Sequence, residues 1–128
     1  MDSPAVLDAA AILAVLFGER GSEAVLPHLQ GGLFSAVNLS EVHSLLLRRG
    51  VEADFAWRRV LSLGCEVCPY DDRQARQAAE LIPVTRALSL SFGDRACLAL
   101  ALTRKATVYT TNSAWKSLDL GLAIEVIG

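Results

Sequence analysis

Positive charge is scarce in this chain of 128 residues, where twelve lysines and arginines stand against fourteen aspartates and glutamates for a net charge of −2. With a pI near 5.6, that balance excludes the broad basic face with which proteins coat nucleic acid irrespective of sequence. Histidine is rarer still, at two residues, and both His28 and His43 read as surface or core groups rather than catalysts. Cysteine occurs three times, an odd number. The N-terminus carries Asp2 and no positive charge, so it does not read as an export signal, and free thiols in a reducing cytoplasm are expected. No apolar run is long enough to span a membrane, because Asp8 and then Gly18-Glu19-Arg20 interrupt the first one. Low-complexity linkers, repeats and charge blocks are also missing, so residues 1–128 read as one domain.

What is plentiful is apolar side chain, 52% of the residues, as expected for strands buried on both faces between helices. Such a fraction also leaves apolar surface for a partner. The twelve basic residues comprise ten arginines and two lysines, with pairs at Arg48-Arg49 and Arg58-Arg59. The planar guanidinium is a bidentate phosphate ligand, which keeps a local nucleic-acid path open beside the plainer reading of solvated helix faces.

Periodicity and breakers predict a strand at Ala5–Leu7 that runs straight into a helix over 9–17 ended by Gly18. A short helix over 22–29, a strand at Leu33–Ser35 and helices over 38–49 and 52–63 follow, the last two as a hairpin. A strand at 66–69 precedes a helix over 71–86 whose end Pro83 should disturb. The most apolar helix, 91–104, is expected at the centre, followed by a strand at Thr107–Thr110, a short helix over 113–118 and a last strand at 124–127. Strands alternating with helices predict an α/β fold, a three-layer α/β/α sandwich around a mostly parallel sheet. Ligands of such sheets gather at the carboxyl ends of the strands, where the strand order reverses.

Three carboxylates sit where apolar segments meet helix starts: Asp8 in AVLDAAAIL, Glu41 in SAVNLSEVHSLLL and Asp94 in LSFGDRACLALAL. Asp8 and Asn112 each follow a strand and would emerge on that same edge, to which the helices could bring Glu41 and Asp94. A desolvated carboxylate needs a positive partner, and neither the Asp8 nor the Glu41 segment contains lysine or arginine. A divalent cation is therefore one candidate partner. Helix capping is the other. Asn38 to Glu41 and Ser91 to Asp94 have capping-box spacing, and Asp8 and Asn112 can each be an N-cap. The residues alone leave both readings standing.

The remaining motifs are weaker. Cys65-Glu66-Val67-Cys68 has CxxC spacing but no second pair to complete a zinc site, so buried strand cysteines are expected, with Cys97 in the core. Arg86 and Arg95 flank Asp94 and could hold phosphate or, for Arg95, a salt bridge. The hairpin carries Val42, Leu45, Leu46, Leu47, Phe55, Trp57, Val60 and Leu61, more apolar residues than one core-facing stripe needs.

Over nearly its whole length the chain resembles the PIN-domain nucleases, in particular the VapC-type toxins of bacterial toxin–antitoxin modules. The resemblance rests on VLDAAAILAVLFGERG, SAVNLSEV, LSFGDRACLALAL and VYTTNSAWKSLDLG, in that order. It implies that Asp8, Glu41 and Asp94 bind Mg²⁺, with Mn²⁺ as substitute, and that with Asn112 they form the catalytic set of an endoribonuclease. It also implies a homodimer and a cognate antitoxin, giving a toxin–antitoxin hetero-oligomer in the cytoplasm. Hard cations favour carboxylate oxygens, activate water and neutralise charge on phosphate. The chain departs from the pattern at Asn112, where an acid is usual, and at Trp115, where some branches carry the acid instead. A second metal should therefore bind weakly. Ala9 replaces a common hydroxyl, removing one hydrogen bond expected beside Asp8. Two rival readings stay open: a catalytically weakened PIN-like RNA-binding or antitoxin-binding module, and a structural domain whose acids are only caps.

Overall fold

A computed structural model describes residues 3–127; Asp2, which entered the reading of the N-terminus, lies outside them. Five strands form one sheet in the order β3-β2-β1-β4-β5: β1 Ala5–Leu7, β2 Leu33–Ser35, β3 Glu66–Cys68, β4 Thr107–Thr110 and β5 Ile124–Val126. All four pairings are parallel, so the sheet is parallel throughout. Chain order runs outward from β1 through β2 to β3, then returns to the other side of β1 for β4. The reversal falls between β1 and β4, where their carboxyl ends leave a crevice.

Successive strand residues point to opposite faces, and two apolar layers result. Val6, Leu33 and Val108 pack with Leu98, Leu100 and Trp115 on one side. Leu7 and Phe34 pack with Ile12, Val25, Leu39, Val42 and Val60 on the other. The second layer is covered by helices α1 (Ala9–Leu16), α2 (Ser22–Val25), α3 (Ala36–Arg48) and α4 (Ala53–Leu61). The first is covered by α5 (Asp72–Glu80), α6 (Ile82–Thr85) and α7 (Phe92–Arg104). This is the three-layer α/β/α sandwich that the alternating pattern predicts. As expected, α7 is the most buried helix, with every residue from Ala96 to Ala101 at 1% exposure or less.

Three elements differ from the sequence-based expectation, each for a local reason. The helix expected over 71–86 ends at Glu80; Pro83 opens the short α6 instead, and a 3-10 turn at Arg86–Leu88 follows. Proline has no N–H to give a continuing helix but is tolerated in a first turn. In the same way Pro27 splits 22–29 into α2 and a 3-10 turn, Leu26–His28. The third difference matters for the site. Helix α3 begins at Ala36, not at 38, because the Ser35 side chain caps it by accepting from the Val37 N–H.

Helices α3 and α4 form the expected hairpin, and its apolar residues divide. Val42, Leu46 and Val60 are buried, while Leu47, Phe55, Trp57 and Leu61 remain exposed. Among the described residues no helix is long and apolar enough to cross a membrane.

Candidate acidic site at the sheet edge

Asp8 leaves the carboxyl end of β1 and caps α1, its Oδ1 accepting from the Ala11 N–H at 2.7 Å. It is only 4% exposed. Its Oδ2 accepts a hydrogen bond from the hydroxyl of Thr110, a fully buried residue at the end of β4. The register explains the meeting: Leu7 pairs with Tyr109, so the next residues on each strand are neighbours. The Thr110 hydroxyl in turn accepts from the Asn112 backbone N–H at 3.0 Å. Thr110 thus supplies to Asp8 the kind of hydroxyl contact that Ala9 cannot make.

Burial pushes the Asp8 carboxyl up from 3.8 to about 6; the hydrogen bonds from Thr110 and Ala11 oppose the rise, and the charges of Asp94 and Glu41 add to it. The same three acids act together on the Cys97 thiol, which burial first and then their charges push well above its ordinary value. Asp8, Glu41 and Asp94 therefore share one electrostatic neighbourhood.

Glu41, in the second turn of α3, lies against Gly93 in the first turn of α7, one residue before Asp94. The buried Asn38 amide donates to Glu41 Oε1 at 2.7 Å and to the Gly93 carbonyl at 3.0 Å. A Cβ added at Gly93 would collide with the Glu41 carboxylate, so only glycine leaves room for that carboxylate against α7. Asp94 is held differently. It forms a full capping box with Ser91, its Oδ2 accepting from the Ser91 N–H at 3.0 Å and its own N–H donating to the Ser91 hydroxyl at 3.1 Å. Asn112 is exposed and caps the 3-10 turn Ser113–Ser117, its Oδ1 accepting from the Ala114 N–H.

The capping reading thus holds for Asp8, Asp94 and Asn112 and fails for Glu41, since Asn38 lies inside the helix that Ser35 caps. Among the described residues no three acid, histidine or cysteine side chains stand together as a ready metal-binding group. Asp94 faces back to Ser91 and Glu41 is drawn to Asn38. The donor set nevertheless fits a hard divalent cation. All three acids offer oxygen, and each Asp8 oxygen keeps a lone pair beyond its hydrogen bond. The Asn38 Oδ1 is buried with no hydrogen-bond partner. Mutual repulsion among the acids is what a cation would relieve.

Two of the residues that build this corner carried faint sequence signals. Gly93 is a glycine in the first turn of a helix, where it costs stability. Asn38 precedes Glu41 by three residues, a spacing that places both on one helix face. Thr110 had no local signal, since only the β1–β4 pairing brings it to Asp8.

The other expected residues lie apart. Cys65 packs with the Leu7 layer and Cys68 belongs to the Val6 layer, so the CxxC sulfurs lie on opposite faces of the sheet and do not converge on one ion. Arg95 donates to the Ala78 carbonyl at 3.3 Å and lines a groove with the exposed Arg86. His28 stacks on Tyr109, and His43 meets Trp57 edge-on.

A parallel α/β/α sandwich with a buried acid at its switch point, flanked by acids from two helix starts, defines the class. A family model, that of the PIN domain, matches residues 5–120, and this chain belongs to the PIN domain family. Among solved structures it is similar to DNA-bound VapBC from Salmonella typhimurium, with a TM-score of 0.75, 17% identity, and coverage of 97% of this chain and 98% of that one. It is similar also to VapC20 of Mycobacterium tuberculosis, a Sarcin-Ricin loop cleaving toxin (TM-score 0.73, 19% identity, 88% and 93% covered). A third is VapBC2 from Rickettsia felis bound to a promoter DNA fragment (0.69, 16%, 97% and 98%). At such identities the likeness speaks for the fold. No curated protein matches the chain in sequence.

Proposed function

We propose that this chain is a divalent-metal-dependent endoribonuclease, the toxin partner of a cognate antitoxin. The observation that carries the reading is Asp8: 4% exposed, at the switch point of the sheet, with its carboxyl raised to about 6 by burial and by Asp94 and Glu41. A fold has little structural reason to gather two further acids around a desolvated one. Membership of the PIN family and a fold shared with a Sarcin-Ricin loop cleaving toxin favour RNA as substrate.

When bound, Mg²⁺ or Mn²⁺ supplies charge that offsets the phosphate and acidifies water. Asp8, Glu41 and Asp94 would hold it. Asp8 is fixed in place by Ala11 and Thr110, while Asn38 keeps the Glu41 carboxylate at the α3–α7 junction. Asp94, held back on Ser91, would complete the set. Asn112 adds no charge, and its oxygen is engaged by Ala114, which supports dependence on one tightly held ion. Its backbone N–H steadies Thr110, and through it Asp8.

The solved relatives include toxin–antitoxin complexes from Klebsiella pneumoniae and Salmonella typhimurium. Leu47, Phe55, Trp57 and Leu61, exposed on the α3–α4 hairpin, are the apolar face we assign to antitoxin docking. A homodimer acting in the cytoplasm completes the reading. The engaged state of Glu41 and Asp94 favours one alternative, a weakened nuclease that mainly binds RNA or antitoxin.

The test is cleavage of single-stranded and structured RNA in Mg²⁺, in excess Mn²⁺ and in chelator. Cleavage should require metal, and Asp8→Asn should reduce it on the order of a thousandfold, as expected for a group that organises charge at the reacting centre. Binding without cleavage even in excess Mn²⁺ would select the alternative, and metal-independent cleavage would sink the assignment.

A further inference from the structure

The acidic corner opens into a groove of about 700 Å³ along the outer face of α3, and among the described residues Glu41 is the one acid that lines it. Its floor is a helical stripe, Ser40, Glu41, Ser44 and Arg48, and its far wall is Tyr70 and Phe92. Arg48 lies two turns beyond Glu41 on the same face, about 10 Å along the axis. It is exposed, and among the described residues it makes no ion pair. Phe92 is 52% exposed although it opens the most buried helix. Tyr70 follows β3 and meets Phe92 edge-on, with ring centroids 5.6 Å apart. Phe92 also immediately precedes Gly93, against which the Glu41 carboxylate lies. An uncovered aromatic pair, an uncommitted guanidinium and two hydroxyls therefore lead in a line to the acids.

We propose that this groove binds unpaired RNA, with a base stacked on the exposed Phe92 face beside Tyr70, the adjoining phosphate on Arg48, and ribose hydroxyls on Ser40 and Ser44. Every base offers a π-face, and stacking on aromatic side chains needs the base out of a duplex. Guanidinium is matched to phosphate oxygens. Arg48 also disfavours a cationic peptide in the same place. The inference deepens the nuclease reading by stating how a strand reaches the acids, and its binding part does not require cleavage.

The experiment measures anisotropy of a labelled single-stranded oligoribonucleotide in chelator, where no cutting occurs. Phe92→Ala and Arg48→Ala should each weaken binding on the order of tenfold, while Arg73→Ala, which removes an exposed charge outside the groove, leaves it unchanged. Only Arg48→Ala should also flatten the salt dependence, by the loss of about one phosphate contact. Should Phe92→Ala fail to fold, a fluorescent purine analogue in the strand reports stacking by its quenching on the unmodified protein and by the loss of that quenching in Phe92→Leu. Folded Phe92→Ala and Arg48→Ala proteins that bind like the unmodified one would overturn the track, as would equal affinity for the duplex or for the DNA strand of the same sequence. A strand that binds through Phe92 and Arg48 but is never cut with metal present would sink the nuclease reading and leave the track standing.

Discussion

Helices α3 and α7 begin side by side at the carboxyl edge of the sheet, and each carries an acid three residues after a polar side chain. At α7 the pair Ser91 and Asp94 closes a reciprocal cap in which the acid serves its own helix. At α3 the cap has moved back to Ser35, at the end of β2, so Asn38 and Glu41 lie inside the helix and face the other element. One acid stabilises a helix end and the other is released to the junction. Spacing alone cannot separate the two roles; where the strand stops and the helix starts does.

Gly93→Ala breaks this contrast most sharply. The new methyl would occupy the place of the Glu41 carboxylate, the far end of a flexible chain, so Glu41 swings away. RNA cleavage should fall on the order of a hundredfold, as a misplacement near 1 Å can cost. Melting temperature should hold or rise slightly, because alanine is the better helix former. A joint loss of stability and activity would show instead that the backbones, not the carboxylate, meet there.

The pH dependence of stability is the next largest effect, and it isolates Asp8 from its two neighbours. Its folded value, about 6, lies above the ordinary 3.8, so the folded state holds the proton more tightly than the unfolded chain. Without metal, stability should fall as pH rises from about 4 to about 6 and be flat above, a loss on the order of 3 kcal/mol at most. Denaturant melts in chelator should therefore show Asp8→Asn more stable than the unmodified protein at neutral pH, with the gap closing toward pH about 4. Adding Mg²⁺ at neutral pH should stabilise the unmodified protein and not the variant. A gap that is constant across pH would mean that the folded state does not hold the Asp8 proton more tightly than the unfolded chain.

Ser91→Ala gives the smallest change. It removes one half of the α7 cap, at a cost of about 1 kcal/mol, and frees Asp94 to turn. Stability in chelator should drop by that amount, and the metal concentration for half-maximal cleavage should change little or fall. A large rise would show that the cap presents Asp94 to the ion rather than withholding it.

The parts of this molecule that could be read in advance are those whose causes are local. Asp8, Ser91 and Asn112 cap helices through bonds to residues two or three positions away, so their role is written in the adjacent residues. The alternation of apolar strands and helices likewise fixed the layers and the edge where the acids gather. The shift of α3 was missed because Ser35 is both the last residue of a strand and a cap, and an apolar strand end hides a helix start. Thr110 depends on Asp8, 102 residues distant, and Asn38, which holds Glu41, on Gly93, 55 residues distant. No local pattern encodes such meetings; they exist once the sheet order and the α3–α7 packing are known.

The loop after β4 closes one position to an acid and leaves another open. Trp115 is fully buried and packs in the layer with Val6, Val108 and Leu98, so an acid there would trade a core aromatic for a buried charge. That route to a fourth acid is closed by the fold itself. Position 112 is open: Asn112 is exposed and its task is to cap the 3-10 turn, a task that aspartate performs about as well. Asparagine and aspartate codons differ by one base. A lineage can therefore gain or shed that charge in a single mutational step, with little change in folding and without rebuilding its core.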